Sequence, residues 1–228
     1  MNMICNYRSD VCVNALYRPR IFRTGFSVLL AMGLLAGCGS LLPKAPIQPT
    51  LYVIDGTTRT PADAVAPSAA SVASAITITV TTPLAAAGFG STHIVYQRQA
   101  HELERYALNQ WVDTPAQMLA PLVVRALEKR GTFRAVVRGS TAAVSELRLD
   151  TELVRLQQEF MTTPSRVRVT LRAVVVDTGT RRVIASREFD NEVAAKSDDP
   201  AGGVAAANEA VQRLLIELAD FCAEVARR

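Results

Sequence analysis

The chain has 228 residues, of which 49% are hydrophobic, with 25 basic against 21 acidic side chains. Four of the basic residues (Arg8, Arg18, Arg20, Arg23) and one of the acidic ones (Asp10) precede Cys38, so the remainder carries 21 against 20 and is close to neutral. That balance excludes the electrostatic footprint of a nucleic-acid binder, and the length suits one domain with a sizeable core.

The first element is a leader. Its basic part is followed by an apolar run, Phe26 to Ala36, too short for a membrane span, which needs about 20 apolar residues. Leu35-Ala36-Gly37-Cys38 closes the run and resembles a bacterial lipobox, with small residues beside the scissile bond and a thiol directly after it. The expectation is a signal peptide over 1–37, removed by cleavage, and diacylglycerol plus an N-acyl chain on Cys38. Two or three acyl chains hold a protein on a bilayer essentially permanently. Gly39 and Ser40 follow the cysteine rather than Asp, which points to the periplasmic face of the outer membrane. Cys5 and Cys12 leave with the leader and Cys38 is acylated, so Cys222 has no partner for a disulfide. It lies on an apolar helical stripe and reads as a buried, inert thiol.

Residues 38–50 form a tether with Pro43, Pro46 and Pro49, and 51–228 the single domain. Leu51 to Ile54 is β-prone and begins it. Residues 56–75, rich in Ala, Pro, Ser and Thr, form a loop, either disordered or a contact surface. Ile76 to Val80 alternates as a half-buried strand. Leu84 to Thr92 is a mobile loop with Phe89 exposed. Residues 94–97 and 103–106 form a hairpin. Thr114-Pro115-Ala116-Gln117 starts a helix, with Thr114 as cap and Gln117 bonding back to it. Pro121 kinks that helix or sets off a short first turn, and Gly131 ends it. Phe133 to Val137 is a strand. Glu146 to Phe160 is a long strand whose apolar parity changes, predicting a bulge near Leu153-Val154. Residues 166–176 and 182–189 are paired through a turn at 177–180. Asp199-Pro200 opens a helix to about Ala226, with Arg227 and Arg228 complementing its C-terminal dipole. The fold class is α+β, a mostly antiparallel sheet with two helices packed on one face.

No pattern argues for catalysis or a cofactor. His93 and His101 flank the hairpin without a third ligand, so no metal site is expected. Nothing resembles a nucleophile elbow. Arg148, Arg155, Arg166, Arg168, Arg172 and Arg182 either meet headgroups or an acidic partner, or form a solvent-facing sheet side balanced by Glu146, Asp150 and Glu152. The second reading is preferred.

Taken together, the lipobox, Leu51-Tyr52-Val53 after a proline tether, Ile94-Val95-Tyr96, Tyr106 followed by Trp111, Pro115, and Leu119-Ala120-Pro121-Leu122 resemble the ABC-type transport auxiliary lipoprotein family. The resemblance implies a non-enzymatic accessory lipoprotein. Its partners would be an ABC permease and ATPase and a mammalian-cell-entry (MCE) domain protein that moves lipid or another hydrophobic substrate. Self-association is a further implication. Tyr96, Tyr106 and Trp111 match recurrent aromatic positions of the family. They are read as packing between hairpin and first helix, and, with Phe89, as partner-contact candidates where exposed. The 56–75 insert is longer than the family pattern. The alternative function is a periplasmic lipid-binding shuttle or chaperone, which requires an apolar cavity between sheet and helices; a hydrolase would need a cleft with convergent polar groups.

Overall fold

The structure is a computed structural model and describes residues 47–56, 76–139 and 145–227. The expected leader, Cys38, most of the tether and nearly all of the 56–75 insert lie outside the described residues.

Among the described residues nine strands form one sheet around β7. In chain order they are β1 (Thr50–Tyr52), β2 (Thr77–Val80), β3 (Leu84–Ala85), β4 (His93–Gln97), β5 (Glu104–Trp111), β6 (Ala135–Arg138), β7 (Leu147–Glu159), β8 (Arg166–Asp177) and β9 (Arg182–Ala194). Helix α1 (Pro115–Arg130) lies between β5 and β6, and α2 (Pro200–Val225) closes the chain. The long pairings, β7 with β8 and β8 with β9, are antiparallel, as is the β4–β5 hairpin.

The other edge of β7 is shared by three short strands lying end to end. β2, β3 and β4 each pair with it in parallel, against Leu147–Leu149, Glu152–Leu153 and Gln158–Glu159. β6 adds to β2 and β1 adds to β5, both in parallel. These parallel pairings, and β3 itself, were not legible from the alternation. Parallel neighbours need a crossover connection, and which of several short strands completes a crossover depends on tertiary contacts.

β7 needs thirteen residues to serve so many partners, and its phase change is resolved as expected. Leu153 faces Leu171 and Arg155 faces Thr170, so Val154 is the extra residue of a bulge. On one side of the bulge Leu147, Leu149 and Leu153 point to the helices, and beyond it Leu156 does so. Val167, Val169, Leu171, Ala173 and Val175 of β8 face the same way.

The helices cover that face. α2 packs over β8 and β9 with Val211, Leu214, Leu218 and Cys222, and α1 packs beside it with Leu119, Val123 and Leu127. α1 runs unbroken through Pro121. Gln117, whose carbonyl loses its donor there, and Pro121 are both exposed, so water can replace the lost bond. The expected Thr114 side-chain cap is not formed; its carbonyl accepts from Met118 and its own N–H donates to Asp113. Gly131 ends α1 at φ 69°, a left-handed conformation that favours glycine. Asp199 caps α2 by accepting from the Gly202 N–H at 2.7 Å, and the Arg227 Nε donates to the Ala223 carbonyl at the other end. No described helix is long and apolar enough to cross a membrane.

Candidate functional site

Of the sequence-predicted aromatic residues, the structure brings two together. The β4–β5 register sets Tyr96 opposite Glu104, and Tyr106 follows two residues on, on the same face. The two rings lie 4.4 Å apart between centroids, and Phe160, just past β7, meets Tyr96 edge-on at 5.9 Å. Arg98 sits over the Tyr96 ring at 5.2 Å and ion-pairs with Glu104, whose carboxylate also accepts from the Tyr96 hydroxyl at 2.9 Å. The hydrogen bond and charge of Arg98 hold the Glu104 carboxyl below the usual range, and Glu104 in turn raises the guanidinium. Partial burial pushes the Tyr106 hydroxyl up to about 12. Burial and the hydrogen bond to Glu104 raise the Tyr96 hydroxyl as well, so both phenols are protonated at neutral pH.

This aromatic shelf stands on a polar network that was not foreseen. Gln158, on the core face of β7 and 3% exposed, accepts from the Tyr106 hydroxyl at 3.1 Å and donates to Ser165 at 2.9 Å. The Ser165 N–H donates to Asp198, and Asp199 caps the helix next to it. Gly203 lets α2 close over this point: a Cβ there would come within 2.2 Å of the Gln158 Oε1. The sequence signal was Gln158, a polar residue within the otherwise apolar parity Val154, Leu156 and Phe160.

The other candidates are elsewhere. Trp111 is 3% exposed and belongs to the core, in the cluster that also holds Met118 and Leu119 of α1 and Ala207 of α2. It is not available to a partner. Phe89 is buried instead of exposed, because Gly88 at φ 94° turns the chain so that the Phe89 N–H reaches the Ala86 carbonyl. His93 pairs with Gln110 at one end of the hairpin while His101 is in its turn at the other. Among the described residues no group of His, Cys, Asp and Glu could hold a metal.

Four of the arginines of the sheet are paired on its outer face. Arg168 meets Asp190 and Glu192, Arg172 meets Glu152 and Glu188, Arg166 meets Glu192, and Arg148 meets Asp150. The acids of β9 do most of this balancing, beyond the three carboxylates expected. Between α2 and the sheet at Trp111 the free volume is about 10 Å³, too small for a lipid. A larger groove of about 450 Å³ lies open on the surface between α1 and α2, with Leu122, Leu215 and Ile216 as its apolar walls and Arg125 and Lys129 at its rim.

The family described as the ABC-type transport auxiliary lipoprotein component matches residues 57–219. No curated protein matches the chain. Among solved structures it is similar to protein XCC0632 from Xanthomonas campestris, of family DUF330. The two are 26% identical at a TM-score of 0.62, over 67% of this chain and 87% of that one. An uncharacterized protein of known structure shares the fold at 14% identity and a TM-score of 0.58, over 77% of this chain and 99% of that one.

Proposed function

Because the chain belongs to the ABC-type transport auxiliary lipoprotein family, we propose that it is a lipid-anchored docking component of an ABC transport system. In this reading it sits on the periplasmic face of the outer membrane and receives an MCE-type protein that conveys lipid or another hydrophobic substrate. The observation that carries the reading is the coincidence of a family match across the domain with a lipobox at Cys38 upstream of it.

The mechanism asks little of chemistry. An acylated Cys38 supplies a permanent hold, the tether supplies reach, and the sheet with its two helices supplies a stiff surface. The partner contact is assigned to the Tyr96–Tyr106–Phe160 shelf, where half-buried aromatic rings present apolar area beside the Arg98–Glu104 ion pair, aromatic residues being enriched at interfaces. Capture of the full-length lipidated protein in mild detergent should bring down an MCE-domain subunit together with permease and ATPase. Tyr96→Ala with Tyr106→Ala should reduce that recovery while leaving the protein folded. Failure of the unaltered protein to recover any of these subunits would refute the docking role. Fractionation with the inner membrane would refute the assignment to the outer one.

A further inference from the structure

The outer face of the sheet is not uniform. Across β7, β8 and β9 it carries the paired charges described above, but at the β1–β5 corner it is apolar. Leu51 of β1 pairs with Gln110 of β5, while Tyr52 pairs with the buried Trp111, so Leu51 and Gln110 point away from the helices. Val53 follows Leu51 in phase, with Ile54 buried on the other side, and Val112 follows Gln110. Leu108, two residues before Gln110 on β5, is exposed at the irregular part of the β4–β5 pairing. With Ile47 just ahead of β1, these five side chains are 47 to 70% exposed. Arg105 is exposed on the same strand, and no ion pair is formed with it among the described residues.

This corner is also where the chain arrives from Cys38. Nine peptide steps separate Cys38 from Ile47, a reach of at most about 32 Å. We infer that the Leu51–Val53–Leu108–Val112 corner is a membrane-seating surface that rests on the lipid headgroup and acyl boundary beside the anchor. The inference rests on the reading of Cys38 as lipidated. Scattered exposed apolar residues are ordinary, but here they are gathered on one corner, within tether reach of a bilayer. An apolar cluster flanked by a cation is the composition that settles into an interface. The paired charges of β7 to β9 keep the rest of that face in water.

The test uses the full-length lipidated protein in phosphatidylethanolamine–phosphatidylglycerol vesicles. Val53→Cys, Leu108→Cys and, as a control on the charged part of the same face, Ser186→Cys are each labelled with an environment-sensitive fluorophore; Cys222 is buried and does not compete. Spin-labelled lipid should quench positions 53 and 108 at least about threefold more than 186. Leu51→Glu should lower quenching at 108 without releasing the protein from the vesicles. Equal quenching at all three positions, in protein that still floats with the vesicles, overturns the seating surface and leaves the anchor intact. Burial of the labels at 53 and 108 without vesicles also overturns it, by showing a protein partner or second copy on the patch. Protein that does not float at all refutes the lipid anchor itself, and the seating with it.

Discussion

Asn208 is the polar residue on the buried stripe of α2, and four hydrogen bonds explain it. Its amide nitrogen donates to the Val53 and Val204 carbonyls, and its oxygen accepts from the Asp55 and Gly56 N–H groups. It thereby fastens the end of the first strand to the last helix, across more than 150 positions of sequence. Asn208→Ala removes this clamp from a site 8% exposed and should cost about 2–3 kcal/mol, measured by denaturant unfolding. Gly203→Ala acts on the same helix by a different route, driving a methyl group into Gln158. Overpacking of this kind costs about 1–3 kcal/mol, and the Tyr106–Gln158 bond should be lost with it. Cys222 lies in the core, and burial pushes its thiol up to about 12. A thiol-specific reagent at pH 8 should leave it unmodified in the native protein and modify it fully in denaturant.

At the scale of elements, β7 and its bulge decide the sheet. Deleting Val154 would remove the extra residue and leave Leu153 opposite Leu171, Arg155 opposite Thr170 and Leu156 opposite Val169, a regular strand in which each side chain keeps its face. The expected outcome is a chain that keeps a cooperative thermal transition by circular dichroism. Where α2 meets the sheet, Leu218→Ala removes a fully buried side chain and should cost about 2–5 kcal/mol. The outer face contributes differently. Hydrogen bonding and charge from Arg168 hold the Asp190 carboxyl below its ordinary value. Asp198 is lowered by Ser165, and Asp177 by the backbone and hydroxyl of Thr180. Groups lowered on folding stabilise the protein above their unfolded values, near about 4, and that contribution is lost as the pH falls through the lowered ones. Melting temperature should therefore drop with acid below about pH 4. Asp190→Asn should start lower at neutral pH and show a shallower drop.

For the whole molecule, the charges and the apolar groups are sorted between parts of one face, while the helices occupy the other. That arrangement leaves the aromatic shelf, the charged sheet and the β1–β5 corner as separate surfaces on one stiff body, so an anchor and a partner can be engaged together. Cys38→Ser should release the protein from vesicles into the soluble fraction without altering its unfolding curve, since the domain core is built from residues beyond the tether.

The sequence by itself determined what depends on neighbours along the chain. The parity break at Leu153-Val154, the Asp199-Pro200 and Gly131 helix boundaries, the hairpins and the α+β class all follow from local geometry and period, and the family resemblance followed from spaced motifs. Tertiary structure alone decided what depends on distant partners. It set β2, β3 and β4 end to end along one edge of β7, and gave Arg168 and Arg172 their carboxylates from β9. It drew Phe89 inward through the turn at Gly88, and sorted Tyr96 and Tyr106 onto an accessible shelf while burying Trp111. The physical reason is that alternation reports which residues share a face. It carries no information on which strand, helix or loop will come to lie against that face.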